Sequence, residues 1–271
     1  MTLFEAVVLG VVQGVTEFLP ISSTAHLRIV PALAGWEDPG AAFTAVLQLG
    51  TLAAVLVFFA RELVGMARAT AAAIGHPDRR GDPEARLAVY LVLGTLPVVV
   101  AGVLFKNAIV GAWRALPVIA TAMIVVGLGL AWVERRATHQ RDFSTIDLRD
   151  ALIIGCAQSL ALVPGVSRSG ITILAAMALG LRRDAAARFS FLLSIPAIAG
   201  AGIFELKHVL HSDAGGAPLA VGLVTATVTG YASIAWLLKF LRTRTTIPFV
   251  IYRVALGLGI FALLAIGYLH P

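Results

Sequence analysis

The sequence predicts an all-α integral membrane protein: six transmembrane helices plus two re-entrant helix–loop–helix hairpins in an inverted-topology repeat. Three observations carry that expectation. Of 271 residues, 59% are hydrophobic and only 13% charged, against roughly 25% charged in a soluble domain, and the mean hydropathy is +0.90. Apolar runs of about 18–23 residues recur, the length that crosses a hydrocarbon layer of about 30 Å. Two further apolar stretches are interrupted by polar residues with Pro or Gly. Such a break is tolerated at membrane depth only where it is buried in protein or lines a wet cavity.

The chain opens on the first interrupted stretch, about residues 1–34, broken by Pro20-Ile21-Ser22-Ser23-Thr24-Ala25-His26. It lacks a basic lead and carries Glu5, so it does not read as a cleavable signal peptide. Spans are expected at about 43–60, 87–105 and 116–133. The second interrupted stretch, about 150–180, is broken by Pro164-Gly165-Val166-Ser167-Arg168-Ser169-Gly170. Three more spans follow at about 186–206, 218–240 and 247–269. The whole is one membrane domain, its first repeat covering about 1–134 and its second about 147–271. Gln13, Pro20, Ser22, Phe43 and Leu47 recur as Gln158, Pro164, Ser167, Phe189 and Leu193, offset by 144 to 146 residues. One hairpin and an odd number of spans per repeat turn the second copy upside down. That plan forms a site near the midplane, where the broken helices meet.

Loop charge supplies an orientation. The formal charge is +6, and its cations gather on one side. These are Arg61, Arg68, Arg79, Arg80 and Arg86; Arg135, Arg136, Arg141 and Arg149; Arg182, Arg183 and Arg188; and Lys239, Arg242 and Arg244. The other side holds only Lys106, Arg114 and Lys207. The rich side is expected to be cytoplasmic, with both termini and the mouth of the first hairpin outside. Clustering between apolar runs fits topology signals and anionic lipid headgroups better than a nucleic-acid footprint. Cys156 stands alone, so no intrachain disulfide is available.

The chemistry concentrates in the two breaks. Gln13 and Glu17 lie four apart on one helical face and aim at the break that follows. A carboxylate inside a membrane is costly and usually functional, and Ser22, Ser23, Thr24 and His26 surround it in sequence. The bland alternative is a snorkelling or helix-capping Glu. The second break sets Arg168 among Ser167 and Ser169, just before an apolar helix that carries Thr172. A guanidinium forks onto phosphate oxygens, and a helix start adds positive potential. Its bland alternative is a structural ion pair with Glu17. A carboxylate, hydroxyl, imidazole, arginine and helix N-terminus together suit attack on phosphorus. An acidic group beside diphosphate oxygens suits Mg²⁺ or Ca²⁺, with Glu17 the protein's metal ligand and the substrate supplying the rest.

Other readings fail. There is no G-x-x-x-x-G-K-[ST] loop and no H-E-x-x-H, and Ser169 stands where the nucleophile elbow needs Gly. His76, His139, His208, His211 and His270 are expected to be solvated. Gly127, Gly129, Gly257 and Gly259 are expected to let spans pack closely. Arg253, inside the last span, is expected to snorkel.

At its two breaks the chain resembles the undecaprenyl-diphosphate phosphatases of the BacA/UppP type, linked to bacitracin resistance. Their first motif is met by Gln13, Glu17, Pro20, Ser22, Ser23, Thr24 and His26; their second by Pro164, Gly165, Ser167, Arg168, Ser169 and Thr172. Phe43–Gly50 and the run Ile247-Pro248-Phe249-Val250-Ile251-Tyr252-Arg253 also look like this family. The resemblance implies hydrolysis of the terminal phosphate of a C55 diphosphate carrier in the bacterial cytoplasmic membrane. It implies a divalent cation and a site facing the periplasm or exterior. Glu17, Ser23, His26 and Arg168 are then the catalytic set; Gln13, Ser22, Thr24, Ser167, Ser169 and Thr172 are the phosphate-binding set. Gln13 stands where many members carry Glu, and Ala25 where Gly is commoner. The other lipid-phosphatase superfamily needs His six residues beyond its Ser-Arg, and here that position is Leu174. The expected partners are the polyprenyl diphosphate and the bilayer, not nucleic acid; a second copy of the chain is left open. The rival function is a polyprenyl-phosphate flippase, because inverted repeats with broken helices also build transporters.

Overall fold

The computed structural model describes residues 1–210 and 216–269. The side chains of Lys207 and His208, and the residues His211 and His270, lie outside what is described. Helices α1 (Leu3–Phe18) and α2 (Ser23–Ala34) form the first hairpin. Then come α3 (Gly40–Phe58), α4 (Ala60–Gly75), α5 (Pro83–Leu104), a single turn α6 (Lys106–Val110) and α7 (Leu116–Arg136). The second hairpin is α8 (Leu148–Ser159) with α9 (Arg168–Ala178). The chain ends with α10 (Arg183–Leu210), α11 (Ala217–Leu241) and α12 (Ile247–Ala265). Helices α3, α5, α7, α10, α11 and α12 are long and apolar enough to cross a membrane, and they are the six expected spans, with ends shifted by a few residues. Their outward faces remain apolar: Val57, Val92, Val103, Val125, Leu128, Val228, Ile251 and Leu258 are exposed. Lipid is the solvent that makes such faces cheap.

Helix α4 departs from the expected loop. It carries Arg61, Glu62 and Arg68, and Met66 is its one buried residue. Its polar and apolar faces suit a helix lying in the membrane interface. Tethering comes from Arg188 of α10, whose Nη2 lies 2.8 Å from Glu62.

The halves pack crosswise. The hairpin's entering helix in each half docks on the second span of the other half, α1 on α11 and α8 on α5, while α3 meets α10 and α7 meets α12. Small residues make the docking close. A Cβ on Gly14 would fall 1.9 Å from Thr229 Oγ1, and one on Gly155 would fall 2.0 Å from the Gly94 carbonyl oxygen. Inside lipid, association rests on this kind of packing because apolar burial supplies no drive. Gly127 and Gly257 likewise seat α7 on α12, as expected, and Gly129 abuts Leu174, but Gly259 meets no neighbour. The central core gathers Phe18, Ile173, Met177, Phe189, Phe191 and Leu193.

Ion pairs mark the two ends of the bundle. At one end Arg183 pairs with Glu134, whose other oxygen accepts from Thr246 Oγ1 at 2.7 Å, and Arg141 pairs with Asp150 at 2.5 Å. These bonds join the ends of α7, α8, α10 and α12. At the other end Asp38 takes Arg114 at 2.7 Å and Arg28 at 3.4 Å, beyond α2 and before α7. The two hairpins thus enter from opposite ends, which is the arrangement an inverted pair of halves has. His76 is exposed as expected. His139 is not fully solvated: it is half-buried, with Nε2 3.2 Å from the Glu134 carbonyl oxygen.

Candidate active site

Both breaks are built alike. Each exit helix starts at a serine with positive φ, Ser22 at 76° and Ser167 at 72°. That region is uncommon for a residue with a Cβ and concentrates at functional sites. Each serine then caps its helix: Ser22 Oγ accepts from Ala25 N at 3.4 Å, and Ser167 Oγ from Gly170 N at 3.0 Å. Each also meets the hydroxyl two residues on, Thr24 or Ser169, at 3.2 Å. Gly165 has φ +96°, and a Cβ there would lie 2.4 Å from the Ile119 carbonyl oxygen, so the second break rests directly on α7.

Arg253 overturns its expectation. It does not snorkel; it is 0% exposed. Its guanidinium donates to five carbonyls: Met123 at 3.1 Å, Ala122 at 3.2 Å, Pro20 at 3.1 Å, Gly165 at 2.8 Å and Val166 at 3.1 Å. Breaking two helices inside a membrane orphans carbonyl oxygens, and a five-donor fork is the side chain best able to collect them. Ser169 Oγ adds a second tie, donating to the Leu19 carbonyl at 2.9 Å. One buried side chain therefore fastens the first break, the second break and α7 together.

Between the fastened breaks lies Glu17, 5% exposed. Its Oε2 accepts from Ser23 Oγ at 2.6 Å and from Gln13 Nε2 at 2.7 Å. Its Oε1 pairs with the Arg168 guanidinium from the opposite hairpin. Arg168 Nη1 also reaches the Ser194 carbonyl at 3.4 Å. Of the expected residues, Gln13, Glu17, Ser23 and Arg168 thus form one connected cluster. His26 belongs to a separate pair: Nδ1 is 2.7 Å from the Ser22 carbonyl oxygen, and Nε2 is 2.7 Å from Tyr252 Oη. Thr172 is fully buried, its hydroxyl 2.7 Å from the Arg168 carbonyl and 2.6 Å from Ser190 Oγ. That placement locks α9 against α10. Ser22 and Ser167 are occupied as caps. Thr51, whose hydroxyl lies 3.4 Å from Gln13 Nε2, and Ser190 and Ser194 were not singled out from sequence, and Tyr252 and Arg253 were given no role in the site there. Only the tertiary fold brings them to the breaks.

Residues 6–259 match the family described as bacitracin resistance protein BacA. The chain belongs to this family. It is 53% identical over its full length to an undecaprenyl-diphosphatase of Myxococcus xanthus, covering 92% of that protein. It is 49% identical to undecaprenyl-diphosphatase 2 of Frankia casuarinae, covering all of this chain and 98% of that one. An undecaprenyl-diphosphatase of Chlorobium limicola is 48% identical, with 99% of each chain aligned. The BacA family match covers both breaks and the first part of the last span, so it includes every residue of the Glu17 cluster and of the His26–Tyr252 pair.

For a divalent cation the donor set is small. Among the described residues no three His, Cys, Asp or Glu side chains come together to hold a metal. Gln13 Oε1, however, is buried with no partner beside Glu17. Two protein oxygens completed by phosphate oxygens are an ordinary hard-cation site, so the residues fit a cation that arrives with its diphosphate.

Proposed function

We propose that this chain hydrolyses undecaprenyl diphosphate to undecaprenyl phosphate and inorganic phosphate, renewing the lipid carrier of cell-wall synthesis. The observation that carries the reading is the 2.6 Å hydrogen bond from Ser23 Oγ to Glu17, with Arg168 on the other carboxylate oxygen. A hydroxyl donating to a buried carboxylate is a nucleophile beside its base. Ser23 Oγ attacks the terminal phosphorus while its proton passes to Glu17. Arg168 shares its fork between Glu17 and the phosphoryl oxygens, and the first N–H groups of α9 add positive potential. Arg253, which has no acidic partner among its five bonds, leaves the site one positive charge in surplus against an incoming diphosphate. Glu17 and Gln13 would hold Mg²⁺ or Ca²⁺, which supplies further charge neutralisation when bound. The shallow, open apolar surface of Pro117, Val118, Thr121, Ala122, Val125 and Val163 beside the second break would take the prenyl tail. The loop-charge asymmetry supports a bacterial cytoplasmic membrane location with the site facing outward.

The test is phosphate release from undecaprenyl diphosphate by purified protein in detergent, with and without EDTA, beside Arg168→Ala and Ser23→Ala. Release is expected to need metal and to fall by about 10²-fold or more in either variant. Well-folded protein that releases no phosphate with metal present overturns the reading.

A further inference from the structure

His26 presents no free ring nitrogen. The Ser22 carbonyl can only accept, so Nδ1 carries a proton whatever the charge on the ring. The two charge states differ at Nε2. In the neutral ring Nε2 accepts the Tyr252 hydrogen, and the phenol has nothing left to give. In the imidazolium Nε2–H donates to Tyr252 Oη, and the phenol hydrogen is released to point elsewhere. The same heavy-atom positions, 2.7 Å on each side of the ring, satisfy both states.

Burial decides which member of the pair reaches the substrate. His26 is 7% exposed and Tyr252 is 43% exposed. Tyr252 is therefore the more open member of the pair, and the imidazole is the buried one. His26 follows Ser23 by three residues on α2, so the two side chains share a face one turn apart. The rings lie within 8° of parallel. The neighbouring Arg253 fixes α12 against both breaks, so the phenol is held against His26 by a rigid element.

We propose that Tyr252 is a catalytic residue that relays the His26 proton to the departing lipid phosphate, an inference that rests on the diphosphatase reading. As Ser23 Oγ bonds to the terminal phosphorus, the bond from that phosphorus to the bridging oxygen breaks and its electron pair goes to the bridging oxygen. Tyr252 gives its hydrogen to that oxygen and takes the Nε2 proton of the imidazolium. The step leaves a phosphoserine, a protonated Glu17, a neutral phenol and a neutral imidazole. Water then attacks the phosphoserine, passing its proton through Tyr252 to Nε2, while Ser23 Oγ recovers the proton held by Glu17. Both residues return to their starting states, and nothing beyond substrate and water is consumed.

The test compares Tyr252→Phe, His26→Ala and the double variant with the wild-type chain in detergent, using undecaprenyl diphosphate and first checking that all four elute and unfold alike. Tyr252→Phe keeps the ring and removes only the hydroxyl. Its kcat is expected to fall about 10²-fold or more, with KM within about two-fold of wild type. The double variant is expected to be no slower than the slower single variant, because the two groups act as one unit. Formation of the phosphoserine, followed by rapid quench, is expected to slow by the same factor. Unchanged or raised kcat in Tyr252→Phe would overturn the relay, since a freed Nε2 would then be acting directly. Multiplicative losses in the double variant would overturn it too. A wild-type chain that releases no phosphate removes the diphosphatase reading and the relay together, whereas an active wild type matched by Tyr252→Phe removes the relay alone.

Discussion

At the scale of single residues, the site depends on a side chain whose role its position in sequence conceals. An Arg a few residues inside the last span reads as a snorkelling side chain, because only the distance along the helix is visible. Its five partners are carbonyls of Pro20, Ala122, Met123, Gly165 and Val166, and carbonyls leave no trace in a residue pattern. Glu17, Ser23 and Arg168 were legible for the opposite reason: polar side chains inside apolar stretches announce themselves by their cost. Arg253→Lys separates charge from reach. An ammonium has three donors, so at least two of the five bonds are lost, at about 1–3 kcal/mol each. The apparent unfolding temperature in detergent is expected to drop by about 4–24 °C, given about 2–4 °C per kcal/mol for a domain of this size. An unchanged unfolding temperature would show that the carbonyls do not need the fork.

Among the helices, the two exit segments share one device, a capping serine with positive φ. Sequence showed where the helices break, because Pro, Gly and hydroxyls interrupt apolar runs. It did not show the backbone sign, which a serine ordinarily avoids. The helix α4 was hidden differently: its Ala-rich apolar face and scattered Arg residues resemble a charged loop when read for loop charge alone. The serine device makes an ordered prediction. Ser167→Ala loses the cap, worth about 1 kcal/mol, and keeps a Cβ in a disfavoured region. Ser167→Gly loses the hydroxyl and relieves the backbone, by about 1–2 kcal/mol on the scale of left-handed strain. Thermal unfolding should place Ser167→Gly level with or above wild type and Ser167→Ala last. A more stable Ala than Gly variant would mean that the positive φ at 72° carries no strain.

For the whole molecule, the question is which way the two ends of the bundle face. The end tied by Arg183–Glu134, Arg141–Asp150 and Arg188–Glu62 gathers helix ends from both halves; the Asp38 end holds few cations. Insertion keeps Lys and Arg loops on the cytoplasmic side, so Asp38, the mouth of the first hairpin and the way to Glu17 are expected outside. The inverted plan was readable from element order, while the pairing of α1 with α11 and α8 with α5 is a property of the folded chain, since a few identities 144 to 146 apart do not say which helices touch. Cysteine labelling on intact cells decides the orientation. In a Cys156→Ser background, Glu37→Cys and Arg80→Cys each place one thiol on an exposed position at opposite ends of the bundle. A membrane-impermeant maleimide is expected to label Glu37→Cys in intact cells and Arg80→Cys only after permeabilisation. The reverse pattern would put the Glu17 cluster within reach of the cytoplasm, and the diphosphate would then have to be hydrolysed on the inner face.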